Sequence, residues 1–253
     1  MLTELLEDLR AEHDVLRAIV SDVDLALLVP AEPWDVRDTV SHLLVGDAKG
    51  LLAATDPDAF SAELPQVIAD PVGYLESWLE PGRGLSKATL LETWHTGFEQ
   101  MVTAFAAVPP GTKVPWYGPP MSPASFATAR LMEYWAHGQD IVDAAGLHRA
   151  PTSRLKHIAH LGVRTRGFSY AVRGRTAPEG EVRVTLKAPD GSTWEWGSGD
   201  DAVEGTAEDF CLRVTQRRHR DDTGLVTSGP LADDWMDHAQ CFAGLPTDGR
   251  PTS

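Results

Sequence analysis

Four stretches in the first 150 residues repeat apolar side chains at intervals of three and four, the spacing of an amphipathic helix. The first stretch shows this most clearly, with leucine at positions 2, 5, 6, 9 and 16. The predicted helices cover residues 2–28, about 34–55, 86–108 and about 123–145. Because each apolar face must pack against another element, we predict an all-α four-helix bundle.

Capping residues and prolines mark the predicted ends of these helices. Asp35 stands where a side chain can cap the second helix, and the pair Asp56-Pro57 is expected to end it. The segment 57–86 mixes proline and glycine breaks with a short helical stretch near 72–78. We therefore expect a mixed segment, with breaks around this short helix.

A long loop is predicted between the third and fourth helices, because residues 109–123 are rich in proline and contain two glycines. Loops of this length inside a compact domain are often functional. Trp116 and Tyr117 lie at its centre. They are expected either to contact a substrate or only to hold the loop against the bundle.

The pattern changes near residue 150, so we predict a bundle over residues 1–150 and a small α+β domain over residues 151–253. The predicted strands are 182–187, 193–196 and 202–205, and the predicted helices are 153–172, 206–216 and 232–242. The fold class is thus a helical bundle followed by a smaller mixed domain.

Composition and charge narrow the possible partners and location. The chain has 22 basic and 37 acidic residues, a net charge of −15, which disfavours binding to nucleic acid or to an anionic membrane surface. No apolar run approaches the roughly 20 residues of a membrane span, and the acidic, helix-patterned N-terminus is unlike a signal peptide. Cys211 and Cys241 form no Cys-x-x-Cys pair and are expected to be free, buried thiols. We expect a soluble cytoplasmic protein.

The fourth predicted helix carries Glu133 and His137 four residues apart. Side chains at this spacing lie on one helix face, about 5–6 Å apart at Cβ, and can converge on one ion. Burying them costs several kcal/mol unless they are compensated. Either a metal ion or a hydrogen bond between the two side chains would provide this compensation.

The second predicted helix adds His42, within an otherwise largely apolar segment. Taken alone, such a histidine is more often a core or boundary residue than a ligand. Together with Glu133 and His137 it makes a set of two nitrogens and one oxygen. Three protein ligands with a fourth position open are typical of catalytic zinc sites.

Two segments that contain these residues resemble a known protein family, which supports the hypothesis of a metal site. The run Trp-Asp-Val-Arg-Asp-Thr-Val-Ser-His-Leu at 34–43 and the run Glu-Tyr-Trp-Ala-His-Gly-Gln-Asp-Ile at 133–141 resemble the mycothiol-dependent maleylpyruvate isomerase family. That family belongs to the DinB-like superfamily of metal-binding four-helix bundles, and its small C-terminal domain is similar to sterol carrier proteins. The resemblance implies that His42, Glu133 and His137 bind zinc and that mycothiol is a co-substrate. Nickel or iron would also suit such ligands.

The resemblance also implies arginines near the substrate. Arg217 is the best positional match and Arg218 the alternative, although Gln216 stands where the family pattern has glycine. This departure indicates a related subfamily rather than the isomerase itself. Arg130, one turn before Glu133, is expected either to fix that carboxylate or to contact an anionic substrate.

Two further residues are placed near the predicted metal ligands. Asp140 lies about one turn beyond His137 and can accept the proton of its non-ligating nitrogen, unless it is exposed. His95 on the third helix is expected to support the site from within the bundle, or to lie away from it.

Three functional hypotheses follow from these residues. The first is a metal- and thiol-dependent isomerase or S-transferase acting on a small electrophile, with only small-molecule partners. The second is a non-enzymatic metal- and ligand-binding or regulatory protein of the same fold. The third is a metal-free bundle in which Glu133 and His137 bond to each other. Both a monomer and a homodimer are compatible with the sequence.

Overall fold

The computed structural model describes residues 2–31 and 33–252. They divide into two compact units, with the boundary between His148 and Arg149. The helices of the first unit are α1 Leu2–Asp22, α2 Val36–Thr55, α3 Pro57–Ala69, α4 Pro71–Ser77, α5 Glu80–Arg83, α6 Lys87–Ala107 and α7 Pro123–Ala144. The four long helices close into a ring, since α1 packs on α6 and α7, and α2 packs on the same two. The predicted four-helix bundle is confirmed.

The first predicted helix is six residues too long, because α1 ends at Asp22 rather than at residue 28. The following residues reverse the chain, and Leu28 bridges Asp35 across the turn. The amides of Val29 and Val36 bond to carbonyls across this reversal instead of within a helix. Asp35 caps α2 as predicted, accepting a hydrogen bond from the amide of Asp38 at 2.8 Å.

The short helix predicted near 72–78 corresponds to α4, whereas α3 and α5 were not predicted within the mixed segment 57–86. Asp56 caps α3 and Asp70 caps α4, each followed by proline at the first helical position. Proline is well tolerated there, since the amide it lacks would have no partner within the helix. An Asp-Pro pair that ends one helix therefore begins the next.

The second unit contains a four-stranded mixed sheet with helices. Its elements are α8 Leu155–Arg164, α9 Arg166–Ala171, β1 Val182–Lys187, β2 Thr193–Trp196, β3 Asp201–Thr206, α10 Ala207–Val214, β4 Val226–Ser228 and α11 Pro230–His238. The strand order is β2-β1-β3-β4, with β1 and β3 parallel and both outer strands antiparallel to their neighbours. The predicted α+β architecture is confirmed, and the likeness to sterol carrier proteins stays a prediction.

Three details of this unit differ from prediction. The helix predicted over 153–172 is broken at Thr165, whose hydroxyl donates back to the carbonyl of Leu161 at 2.8 Å. The last helix begins at Pro230, and it ends at His238, four residues before its predicted end. The strand β4 was not predicted, because its three residues are too few to show a periodic pattern.

None of the described helices combines the length and apolarity that a bilayer crossing requires.

The core of the bundle contains a wholly buried histidine, His13, whose burial makes the stability of the fold depend on pH. The ring of His13 is stacked on Phe98 at 4.0 Å, and burial lowers its pKa to about 4 although Asp14 opposes the shift. In the unfolded chain the pKa is near 6.5, so the folded state resists protonation and loses stability as pH falls from about 6.5 to about 4. At pH values below that window, the free energy of unfolding is lower by about 3 kcal/mol.

Urea unfolding of metal-stripped protein across this pH range checks the expectation. A His13→Leu variant should lose correspondingly less stability than wild type between pH 7 and pH 4. If both proteins lose the same amount, the burial of a neutral imidazole is not responsible for the acid sensitivity.

Candidate metal centre

The three predicted ligands converge on one point. His42 comes from α2, while Glu133 and His137 lie one turn apart on α7. Nε2 of His137 is 3.2 Å and Nε2 of His42 is 3.7 Å from the same carboxylate oxygen of Glu133. One donor atom from each residue lies within 4.8 Å of the other two. This arrangement is a candidate metal site with two nitrogen donors and one oxygen donor.

Glycines on α2 allow the close approach that brings these ligands together. A Cβ atom at Gly46, one turn after His42, would lie 2.8 Å from Nη1 of Arg130 on α7. A Cβ atom at Gly50 would lie 2.7 Å from Cζ of Phe126. Larger residues would push the two helices apart, and with them the two halves of the donor set.

Two tryptophans, Trp34 and Trp78, line the site. The ring centroid of Trp34 lies 5.1 Å from that of His42 and 5.9 Å from that of His137, and Trp78 lies 5.4 Å from His42. The side chains of His42, Glu133 and His137 keep only 12%, 25% and 10% of their exposure. The three side chains are therefore largely shielded from water, which strengthens electrostatic interactions at the site.

Trp78 is held in this position by the residue preceding His42. The hydroxyl of Ser41 donates to the carbonyl of Trp78 at 2.7 Å and accepts from the amide of Gly82 at 2.9 Å. One buried side chain thus fixes the α4–α5 connection against the helix that carries a predicted ligand.

The electrostatics favour the protonation states that bind metal. Burial lowers the pKa of His42 to about 4, although its contact with Glu133 opposes the shift. Burial alone would raise the pKa of Glu133, but bonds to His137 and His42 outweigh it and hold that pKa well below its ordinary value. At neutral pH the site therefore combines an ionised carboxylate with a neutral His42 imidazole, as metal coordination requires.

Asp140 lies beside the other nitrogen of His137. Its Oδ2 atom is 3.4 Å from Nδ1 of that ring, and the side chain is buried, so the exposed alternative does not hold. A carboxylate at this position favours the tautomer with the proton on Nδ1 and the lone pair on Nε2. Its predicted supporting role is compatible with this placement.

Arg130 joins two helices through a buried network. Its Nε and Nη2 atoms donate to Asp47 at 3.2 and 2.8 Å, and Nη2 also donates to the carbonyl of Leu43. The hydroxyl of Tyr134 donates to the other oxygen of Asp47 and accepts from Trp94 Nε1 at 2.8 Å. This placement favours a structural role for Arg130, and its contact with a substrate remains a prediction.

Asp47 was not singled out from the sequence. The available signal was one acidic residue at a buried position of α2, five residues after His42. A helix pattern shows that such a residue needs a partner but does not show which helix provides it.

Trp116 and Tyr117 occupy different surroundings within their loop. Trp116 packs against Phe60 and edge-on against Phe126, with ring centroids 5.4 and 4.7 Å apart. Tyr117 shares a hydrogen bond of 3.0 Å with the hydroxyl of Tyr74, and its ring lies 6.0 Å from Trp78. Trp116 thus holds the loop on the bundle, while Tyr117 extends the aromatic wall toward His42. Substrate contact by either residue stays a prediction.

His95 contacts a different part of the bundle from the one predicted. Its ring lies 5.3 Å from the ring of His13 on α1, and Asp14 stands close to both. The structure places it in this second cluster rather than behind the predicted zinc ligands. The sequence did not distinguish His13 from other histidines.

Arg217 and Arg218 follow α10 in the second unit. Arg217 Nη1 donates to the carbonyl of Thr215, and Arg218 Nη1 donates to the carbonyl of Arg217, both at 2.7 Å. Gln216 has φ of 60°, the left-handed region that favours glycine, at the position where the family pattern has glycine. Its side-chain amide compensates by donating to the carbonyls of Ala239 and Thr247. The catalytic roles of the two arginines remain predictions.

The fold and the site together define a class of protein, a helical bundle with a candidate His-Glu-His centre followed by a small mixed domain. The family model for the mycothiol maleylpyruvate isomerase N-terminal domain matches residues 6–142, and this chain belongs to that family. The resemblance inferred from the two segments is confirmed.

Relatives and solved structures agree with this assignment. Two proteins of Mycobacterium tuberculosis, from different strains and both named uncharacterized, are 43% identical over 248 residues, covering 96% of each chain. A crystal structure of the mycothiol-dependent maleylpyruvate isomerase aligns with a TM-score of 0.56 at 16% identity, covering 92% of this chain and 96% of that one. A histidine-to-alanine mutant of that enzyme aligns equally well. At this identity the likeness shows the shared fold.

Proposed function

We propose that this chain is a divalent-metal-dependent enzyme that uses a low-molecular-weight thiol, mycothiol, either to isomerise a small electrophile or, as an S-transferase, to join the thiol to it through sulfur. The observation that carries the proposal is the meeting of His42, Glu133 and His137 at one point. Family membership supports the choice of thiol, because the solved relative is named as mycothiol-dependent.

The residues present fit a divalent ion, with zinc the first choice and nickel or iron as alternatives. Two imidazole nitrogens and one carboxylate oxygen face each other, and a set of three ligands leaves a position for an exogenous donor. When bound, the ion supplies a positive charge that lowers the pKa of a coordinated thiol. First-row ions compete for such sites largely by availability.

The chain's own residues prepare the site for this chemistry. Glu133 brings the negative charge, and Asp140 is placed to hold the proton of His137 on Nδ1. Trp34 and Trp78 limit the access of water, which would compete with the thiol. We assign Arg217, with Arg218 as alternative, to pair with a carboxylate of the substrate.

The proposed partners are small molecules, with neither nucleic acid nor membrane among them. We place the protein in the cytoplasm, where thiols are kept reduced, in keeping with the two buried free cysteines, Cys211 and Cys241. Sedimentation analysis would decide between a monomer and a homodimer.

Isothermal titration of mycothiol into zinc-loaded and metal-stripped protein tests the proposal. We expect binding to the loaded form alone, and none of S-methylated mycothiol, which has no thiol to ionise. In cobalt-loaded protein, mycothiol should add a thiolate-to-metal charge-transfer band. Equal binding to the loaded and stripped forms, or no binding to either, would contradict the proposal.

A second candidate is a non-enzymatic binding or regulatory protein in which the ion is structural. The low exposure of the three ligands between two tryptophans favours this alternative. Water exchange at the bound ion distinguishes the two functions. An exchangeable water supports the enzyme, whereas a closed coordination sphere supports the structural ion.

A further inference from the structure

A second cluster of donor atoms lies at the contact between α1 and α6. His13 and Asp14 belong to α1 and His95 belongs to α6. One ring nitrogen from each histidine and one carboxylate oxygen of Asp14 lie within 4.8 Å of one another. None of these residues belongs to the candidate centre formed by His42, Glu133 and His137.

Two buried histidine nitrogens in this cluster indicate that it binds a ligand. Within residues 2–31 and 33–252, Nε2 of His13 and Nδ1 of His95 are buried without a hydrogen-bond partner. Each such atom costs about 1–3 kcal/mol of stability. Leucine or phenylalanine would fill the His13 position without this cost. Nδ1 of His13 lies 3.4 Å from an oxygen of Asp14, but Nε2 calls for a partner that the described residues do not provide.

The surroundings suit a small cation better than an organic ligand. His13 is enclosed by the rings of Phe98, Trp94 and Tyr134, with centroids 4.0 to 5.6 Å away. Asp14, at 68% side-chain exposure, supplies a negative charge and an opening to solvent. Two imidazole nitrogens and a carboxylate within 4.8 Å of one another therefore suit a cation.

We propose that His13, Asp14 and His95 form a second binding site for a first-row divalent transition ion, which ties α1 to α6. Imidazole nitrogen with a single carboxylate suits zinc, cobalt or nickel rather than magnesium or calcium, which prefer oxygen donors. The Arg10–Glu99 ion pair, at 3.0 Å, joins the same two helices about one turn away and keeps them in register without the ion. This inference does not depend on the proposed enzymatic function.

Zinc titration in a background whose first site is weakened tests the proposal. The starting protein is the metal-stripped Glu133→Gln variant, followed by calorimetry and by the visible spectrum of bound cobalt. We expect about one equivalent of zinc to bind, with ligand-field bands of a four- or five-coordinate cobalt ion. Adding Asp14→Asn or His95→Gln should weaken this binding by at least about tenfold.

Both substitutions lie at or near the surface, so the fold should survive, and circular dichroism verifies this. The matched controls are Asp22→Asn on the same helix and His148→Gln, both exposed residues outside either cluster. Each should leave the affinity unchanged. The proposal is overturned if the Glu133→Gln protein binds no zinc, or if its zinc affinity does not respond to Asp14→Asn and His95→Gln.

Discussion

Replacing Glu133 with glutamine is expected to remove tight zinc binding from the His-Glu-His centre while leaving the bundle folded. The substitution preserves the size of the side chain but takes away the only negative charge among the three donors. Both histidines remain 3.2 and 3.7 Å from the altered position, so the change is electrostatic rather than steric.

The size of the effect follows from the usual strength of zinc sites. A site of four ligands contributes roughly 10–16 kcal/mol, or about 3 kcal/mol for each ligand. Loss of one ligand then corresponds to roughly a hundredfold weaker binding, since about 1.4 kcal/mol is tenfold. The charge of the lost carboxylate increases the loss further.

Competition of the protein with a chromophoric chelator measures this affinity. The control is Glu92→Gln, an exposed glutamate on α6 that should bind zinc as tightly as wild type. If the Glu133→Gln protein and wild type bind the same number of zinc ions with the same affinities, Glu133 is not a ligand.

Asp47→Ala is expected to cause the largest loss of stability. Asp47 is wholly buried and accepts bonds from Arg130 and Tyr134, so the substitution leaves a buried guanidinium without its counter-charge. Breaking a buried ion pair from one side costs about 3–5 kcal/mol, because the remaining charge stays desolvated. Urea unfolding of metal-stripped protein measures the loss.

The double variant Asp47→Ala/Arg130→Met shows whether the loss of stability comes from an unpaired charge or from a cavity. Removing both charges should restore a large part of the lost stability, since no buried cation then remains. A single variant that loses less than about 1 kcal/mol, or a double variant no more stable than the single, would contradict this account.

The sequence was most informative where one helix carried the whole signal. Glu133 and His137 share a helix face by their spacing alone, and the apolar repeats were sufficient to predict the four long helices. His42 was grouped with them by the chemistry of its donor atom, and the resemblance of its segment to a known family supported this grouping, because a single helix pattern does not show which faces meet.

The features that were missed depend on contacts between helices or on short-range geometry. Asp47 with Arg130, and His13 with His95, become partners only through packing across the bundle. The helix after Asp56 was missed because an Asp-Pro pair is compatible with both a helix end and a helix start.

Anomalous diffraction at the zinc edge, from crystals grown with one equivalent of zinc, tests the central claim most directly. The account predicts one dominant peak bound by Nε2 of His42, Nε2 of His137 and the carboxylate of Glu133. A dominant peak elsewhere, or none at this point, would contradict the assignment of these three residues as a metal centre.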